Sequence, residues 1–132
     1  MSRDTKTYHS AVELTIDVIG GKWKPLILWI LSQGTYRFSE LQRALPTITQ
    51  TMLTKQLREL EEDKIVLRKV YAQVPPRVEY SLSEVGQTVL PLVLALHQWG
   101  KDYSETQGLL HRPYKLGPPF QQDKENRPAN GQ

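Results

Sequence analysis

A mainly α-helical domain with one small β-hairpin is the fold class predicted by the sequence, and three patterns predict it. Trp23, Leu26, Ile27, Ile30 and Leu31 recur at helical spacing, the stripe by which an amphipathic helix packs on a core. Residues 39–45 and 49–63 read as two further helices joined by a short turn at Pro46, which is a helix-turn-helix arrangement. From Ile65 the apolar period switches to two, in runs separated by Ala72-Gln-Val-Pro-Pro76. Two prolines cannot continue a ladder, so the segment is a hairpin with a projecting tip.

The chain of 132 residues is long enough for one domain with a single modest core. We expect that domain at 10–106, after a flexible arm at 1–9. The tail at 107–132 carries four prolines among polar residues and is expected to be disordered, because it cannot bury enough surface to offset its ordering entropy. No apolar run approaches the roughly 20 residues needed to span a bilayer, and the first residues do not resemble a signal peptide. A cytoplasmic protein without membrane contact is expected. With no cysteine, the chain offers no disulfide, thiolate metal site or thiol redox chemistry. A net charge of +3 and a pI near 9.2 suit nucleic acid without demanding it.

Taken in order, Val12 to Ile19 alternates strictly and reads as a half-buried strand, yet Val12, Ile16 and Ile19 also fit a helix. Gly20-Gly21 breaks this element. The helix that follows tolerates Pro25 in its first turn, where an amide proton would have no intrahelical partner. Tyr36-Arg37-Phe38 is long enough only for a short strand, and Phe38, Leu41 and Leu45 are spaced for a short helix that Pro46 stops. Thr47 and Thr49 both suit the N-cap of the next helix, and Thr47 with Gln50 fits a capping box. In the hairpin, Leu67, Lys69 and Tyr71 face one way and Val66, Arg68 and Val70 the other; Val78, Tyr80 and Leu82 alternate with Arg77, Glu79 and Ser81. Ser83 is expected to cap a long last helix running to about Thr106, bent at Pro91. That helix is apolar nearly all round, so a second face must meet another surface, and in so small a domain a homodimer is the expected solution.

The helix over 49–63 carries the chemistry. At about 100° per residue from Gln50, Leu53, Leu57 and Leu60 fall near 280° to 340° and define a buried side. Gln50, Thr51, Thr54, Lys55 and Arg58 then occupy roughly 0° to 140°, a face of amide, hydroxyls and cations suited to base edges and phosphate oxygens. Thr49 at its start, with Arg37, Lys69 and Arg77 on the strands, completes the expected DNA-binding set, and Arg68 is a further hairpin cation. The stiff Pro75-Pro76-Arg77 tip is expected to present Arg77 to the backbone or minor groove. An enzyme is not expected. His9, His97 and His111 are isolated, no serine stands in G-x-S-x-G, and Gly20-Gly21-Lys22 lacks the first glycine of a phosphate loop because Ile16 stands there. No cofactor or metal is implied.

Four ordered motifs extend this reading. Ile19-Gly-Gly-Lys-Trp-Lys24, Arg37-Phe-Ser-Glu-Leu41, Met52-Leu-Thr-Lys-Gln-Leu-Arg-Glu-Leu-Glu61 and Val74-Pro-Pro-Arg-Val-Glu-Tyr-Ser-Leu82 resemble those of the HxlR-type bacterial regulators, over about Ser10 to Trp99. The resemblance implies a winged helix-turn-helix that is dimeric through its first and last helices, and it implies helix at Val12 to Ile19. Family members often carry a cysteine just before the Val-Glu pair, here Val12-Glu13, and several respond through it to electrophiles or oxidants. Ser10 stands near that position, and a hydroxyl cannot supply the thiolate such sensing needs.

The sequence therefore predicts a transcriptional regulator that binds a pseudo-palindromic site on double-stranded DNA as a homodimer, without cysteine-based sensing. Two other readings stay open: a winged-helix protein-interaction module, and a regulator controlled by a non-covalent small-molecule effector. The second is motivated by Trp23, Trp29 and Trp99, although tryptophans at helical spacing more often belong to a core.

Overall fold

In the computed structural model, which describes residues 3–109, the segment open to strand or helix is a helix, α1 (Ala11–Ile19). Ser10 caps it: Ser10 Oγ accepts from the Glu13 amide at 3.0 Å, and Glu13 Oε1 accepts from the His9 amide at 2.6 Å. The two glycines end it for steric reasons. A Cβ on Gly20 would lie 2.2 Å from the Ile16 carbonyl oxygen, and Gly21 adopts φ +86, where a side chain is strained. Most of the expected tail lies outside the described residues, from position 110 onward.

Helix α2 (Trp23–Leu31) follows, with Pro25 in its first turn. It contributes Ile27, Leu28, Ile30 and Leu31 to the core and touches α4, β3 and α6, so the rest of the domain is assembled around it. Strand β1 (Tyr36–Arg37) leads directly into α3 (Phe38–Ala44), where Glu40 Oε1 accepts from the Arg37 amide at 2.7 Å. Helix α4 (Gln50–Glu62) is capped by Thr49, whose hydroxyl accepts from the Met52 amide at 3.0 Å. Of the two threonines that suit the cap, the later one takes it, and Thr47 remains in the turn. The turn between α3 and α4 is sealed by buried Leu45 and Ile48.

Strands β2 (Val66–Tyr71) and β3 (Arg77–Leu82) form the expected antiparallel hairpin, and β1 adds to the other side of β3, giving the order β1-β3-β2. Lys64, at φ 66, turns the chain from α4 into β2. The last helix departs from expectation. It is two helices, α5 (Glu84–Gln87), capped by Ser83, and α6 (Leu90–Gln107). Pro91 causes the break: it lacks an amide proton, and its ring would collide with the carbonyl four residues earlier, so a helix can restart at Leu90 but cannot run through. Among the described residues no helix is long and apolar enough to cross a membrane.

Candidate nucleic-acid interface

Helix α4 is held by one face and presents the other. Leu53, Leu57 and Leu60 are buried, each worth about 1.5–3 kcal/mol of transfer free energy. Opposite them Gln50, Thr51, Lys55 and Arg58 are exposed and Thr54 is half-buried. Thr49 is also exposed, though its hydroxyl accepts the capping bond.

One exposed cation of α4 is positioned from the core. Lys24, buried on α2, places its ammonium 2.7 Å from Glu59 Oε1, and Lys55 Nζ lies 2.9 Å from Glu59 Oε2. These two ammonium groups hold the Glu59 carboxyl below the usual carboxylate range, with the Lys24 hydrogen bond the larger cause. Glu59 thus joins the first expected motif to the third and orients Lys55 on the outer face.

Gln50, Thr54 and Arg58, with Glu61 one turn on, form one stripe along α4. They line a cleft of about 490 Å³ whose far wall is the sheet, through Arg68 and Tyr80. The register explains why Arg68 is there. Arg68 pairs with Tyr80 and Val70 with Val78, and residues directly opposite each other share a face, so the Arg68 row turns toward α4. The expected binding set lacks Arg68, although the sequence marks it as a hairpin cation; the alternation that places it with Val66 and Val70 is the signal that points to it.

The other three strand residues of the expected set lie on the opposite face. Arg37 and Lys69 are the two cross-strand partners of Glu79, and Arg77 pairs with Tyr71. Arg77 is only 5% exposed, contrary to its expected place on a projecting tip. Its guanidinium stacks over the Tyr71 ring at 3.8 Å and its Nε lies 3.2 Å from Glu79 Oε2. A guanidinium with an aromatic platform and a carboxylate in reach is drawn back onto the sheet. The structure thus groups Gln50, Thr54, Arg58 and Arg68 around one cleft, leaves Thr51 and Lys55 beside it, and sets Arg37, Lys69 and Arg77 apart.

The three tryptophans make separate ring contacts. Trp29 stacks on His97 at 4.4 Å, Trp99 on Tyr103 at 4.8 Å, and Trp23 lies under the Lys22 ammonium. A separate apolar groove of about 490 Å³ runs between α1 and α6, lined by Val12, Ile16, Ile19, Leu92 and Leu96.

Residues 18–108 match the model of the HxlR-like helix-turn-helix family. The chain belongs to this family. It is 58% identical over 90 residues to the HTH-type transcriptional regulator YybR of Bacillus subtilis, covering 68% of this chain and 72% of that one. Among solved structures it is similar to the redox regulator HypR in its reduced form, with 54% identity, a TM-score of 0.72, and coverage of 75% of this chain and 98% of that one. Reduced YodB of B. subtilis gives 31% identity and a TM-score of 0.64 over 76% and 98% of the two chains. This HxlR-like chain is thus a helix-turn-helix transcriptional regulator built as a winged helix, with α3 and α4 as the helix pair and β2–β3 as the wing.

Proposed function

We propose that this regulator binds a pseudo-palindromic operator as a homodimer, with α4 in the major groove and no cysteine chemistry in its control. The observation that carries the reading is the outer face of α4. Its polar residues are presented by three buried leucines on the opposite side and flanked across a cleft by Arg68. Gln50, Thr51, Thr54 and Arg58 have the donors and acceptors that base edges require. Lys55, oriented by Glu59, and Arg68 are assigned to phosphates on either side of the groove, and Arg37 and Lys69, on the other face of the sheet, to separate backbone contacts. Arg77, stacked on Tyr71, shapes the wing rather than touching DNA.

The homodimer reading is supported by the groove between α1 and α6. Val12 and Ile16 are more than 60% exposed on this single chain, and Leu92 and Leu96 stand open beside them. Apolar residues clustered this way are what an isologous contact covers. Two copies would then address half-sites about 34 Å apart, or a multiple. The chain has no cysteine, so no thiol chemistry enters its control.

Arg58→Ala tests the reading. Operator binding should weaken by about 1–3 kcal/mol, with relaxed preference at one base position, if Arg58 reads a base. Unchanged affinity removes Arg58 from the interface.

A further inference from the structure

Within the expected arm at 1–9, Arg3 is strongly connected. Arg3, in a 3-10 turn at Arg3–Thr5, extends its guanidinium between two helices. Toward α4, Nε and one terminal nitrogen reach the two oxygens of Asp63 at 2.9 and 2.6 Å. Toward α1, the guanidinium donates to the Asp17 carboxylate and, at 3.1 Å, to the Asp17 carbonyl oxygen. Tyr8 and Lys6 close the cluster on the same Asp17 oxygen, at 2.5 and 3.1 Å.

Two features make this more than a surface ion pair. Asp63 is the C-cap of α4, where the helix macrodipole disfavours a negative charge, so a carboxylate there calls for a cation. And α1 buries only Ile19 of its nine residues, at its end, so little packing on its own chain sets its position. The fork of Arg3 supplies a polar link between α1 and the end of α4 that a lysine, a point charge, could not make on both sides at once.

We propose that Arg3 is a positioning residue: by tying Asp63 to Asp17 it fixes α4 relative to α1, and so sets the half-site spacing that the dimer accepts. This rests on the homodimeric, DNA-binding reading above, in which α1 belongs to the dimer contact and α4 to the groove. One base pair of added spacing moves a half-site by about 3.4 Å and turns it by roughly 35°. A link that restrains the angle between the dimer helix and the reading helix therefore registers as discrimination between spacings.

The test uses the full chain and a duplex that the wild type selects from a random pool, remade with one base pair added or removed between half-sites. The wild type should prefer its own spacing by about tenfold, and Arg3→Ala should reduce that preference below about threefold. Asp63→Asn should act in the same direction and Arg3→Lys should fall between. A merely structural role would weaken all spacings alike and leave their ratio at the wild-type value, and that result overturns the proposal while the DNA reading stands. A wild type that selects no duplex overturns the DNA reading itself, and this proposal with it. Amide exchange without DNA gives an independent readout: Arg3→Ala should speed exchange in α1 and in the last turn of α4 but not in α2, and unchanged exchange in both counts against the link.

Discussion

The Lys24 ammonium on α2 lies 2.7 Å from Glu59 on α4, and the pair ties α4 to α2 beside its buried leucine face. Lys24 is buried and Glu59 is about one-third exposed, so removing either partner has a different consequence. Glu59→Ala leaves an ammonium buried without a counterion and should destabilise the fold by about 1–2 kcal/mol, less than a fully buried pair because Glu59 is partly screened. Lys24→Met removes the buried charge itself and should cost less. Urea unfolding of the two variants checks this, and equal losses contradict it.

Acid should loosen the same molecule through its paired carboxylates. Asp17 is lowered from 3.8 to about 2, first by the Tyr8 hydrogen bond and then by Lys6, with the Arg3 and Lys6 charges assisting and burial opposing. Glu59 is shifted in the same direction. A depressed folded-state value means that the unfolded chain binds protons first as pH falls. The contribution of Asp17 is complete above its unfolded value near 3.8 and is lost as pH falls toward about 2. Unfolding free energy should therefore decline on acidification from about pH 5. Asp17→Asn combined with Glu59→Gln should flatten that decline; a profile as steep as the wild type's contradicts the assignment.

Gly86 should tolerate no side chain. A Cβ there would stand 2.2 Å from the Ile65 carbonyl oxygen, a backbone atom, in the corner where Ser83 Oγ donates to the Lys64 carbonyl oxygen at 2.6 Å and accepts from the Gly86 amide at 2.8 Å. Gly86→Ala is expected to destabilise by about 1–3 kcal/mol or more through overpacking. Ser83→Ala should cost about 1 kcal/mol for the lost cap. Thermal unfolding measures both.

The two sides of α4 should separate in mutagenesis. Leu57→Ala removes a fully buried side chain and should cost about 2–5 kcal/mol of stability. Arg58→Ala, one position on and exposed, should leave the melting temperature near the wild-type value while weakening DNA binding. Loss of stability in both, or of DNA affinity in neither, contradicts the division of faces.

Much of the fold is legible in the sequence because periodicity reports burial. Leu53, Leu57 and Leu60 at one angle of a helix can point only inward, and the period-two runs by themselves place Arg68 and Lys69 on opposite faces. Periodicity does not report which face of the hairpin meets α4, since that depends on how the sheet packs, and so the expected binding set takes Lys69 and omits Arg68. Arg77 escapes local reading for a related reason. A proline tip implies projection, whereas the cross-strand partner Tyr71 and the neighbouring Glu79 draw the guanidinium in. At Pro91 the apolar pattern continues and suggests a mere bend, but that pattern carries no information on the backbone hydrogen bond that proline removes. The Arg3 link joins residues 60 positions apart, beyond any local signal.

The most direct test of the central claim is a salt titration of the purified protein on genomic or selected duplex DNA. If α4 and the wing engage six or more phosphates, affinity should fall by about 10³ or more between 50 and 200 mM salt, and Arg68→Ala should reduce the slope by about one contact. Failure to retain DNA at low salt, or binding indifferent to salt, would contradict the assignment of this face to nucleic acid.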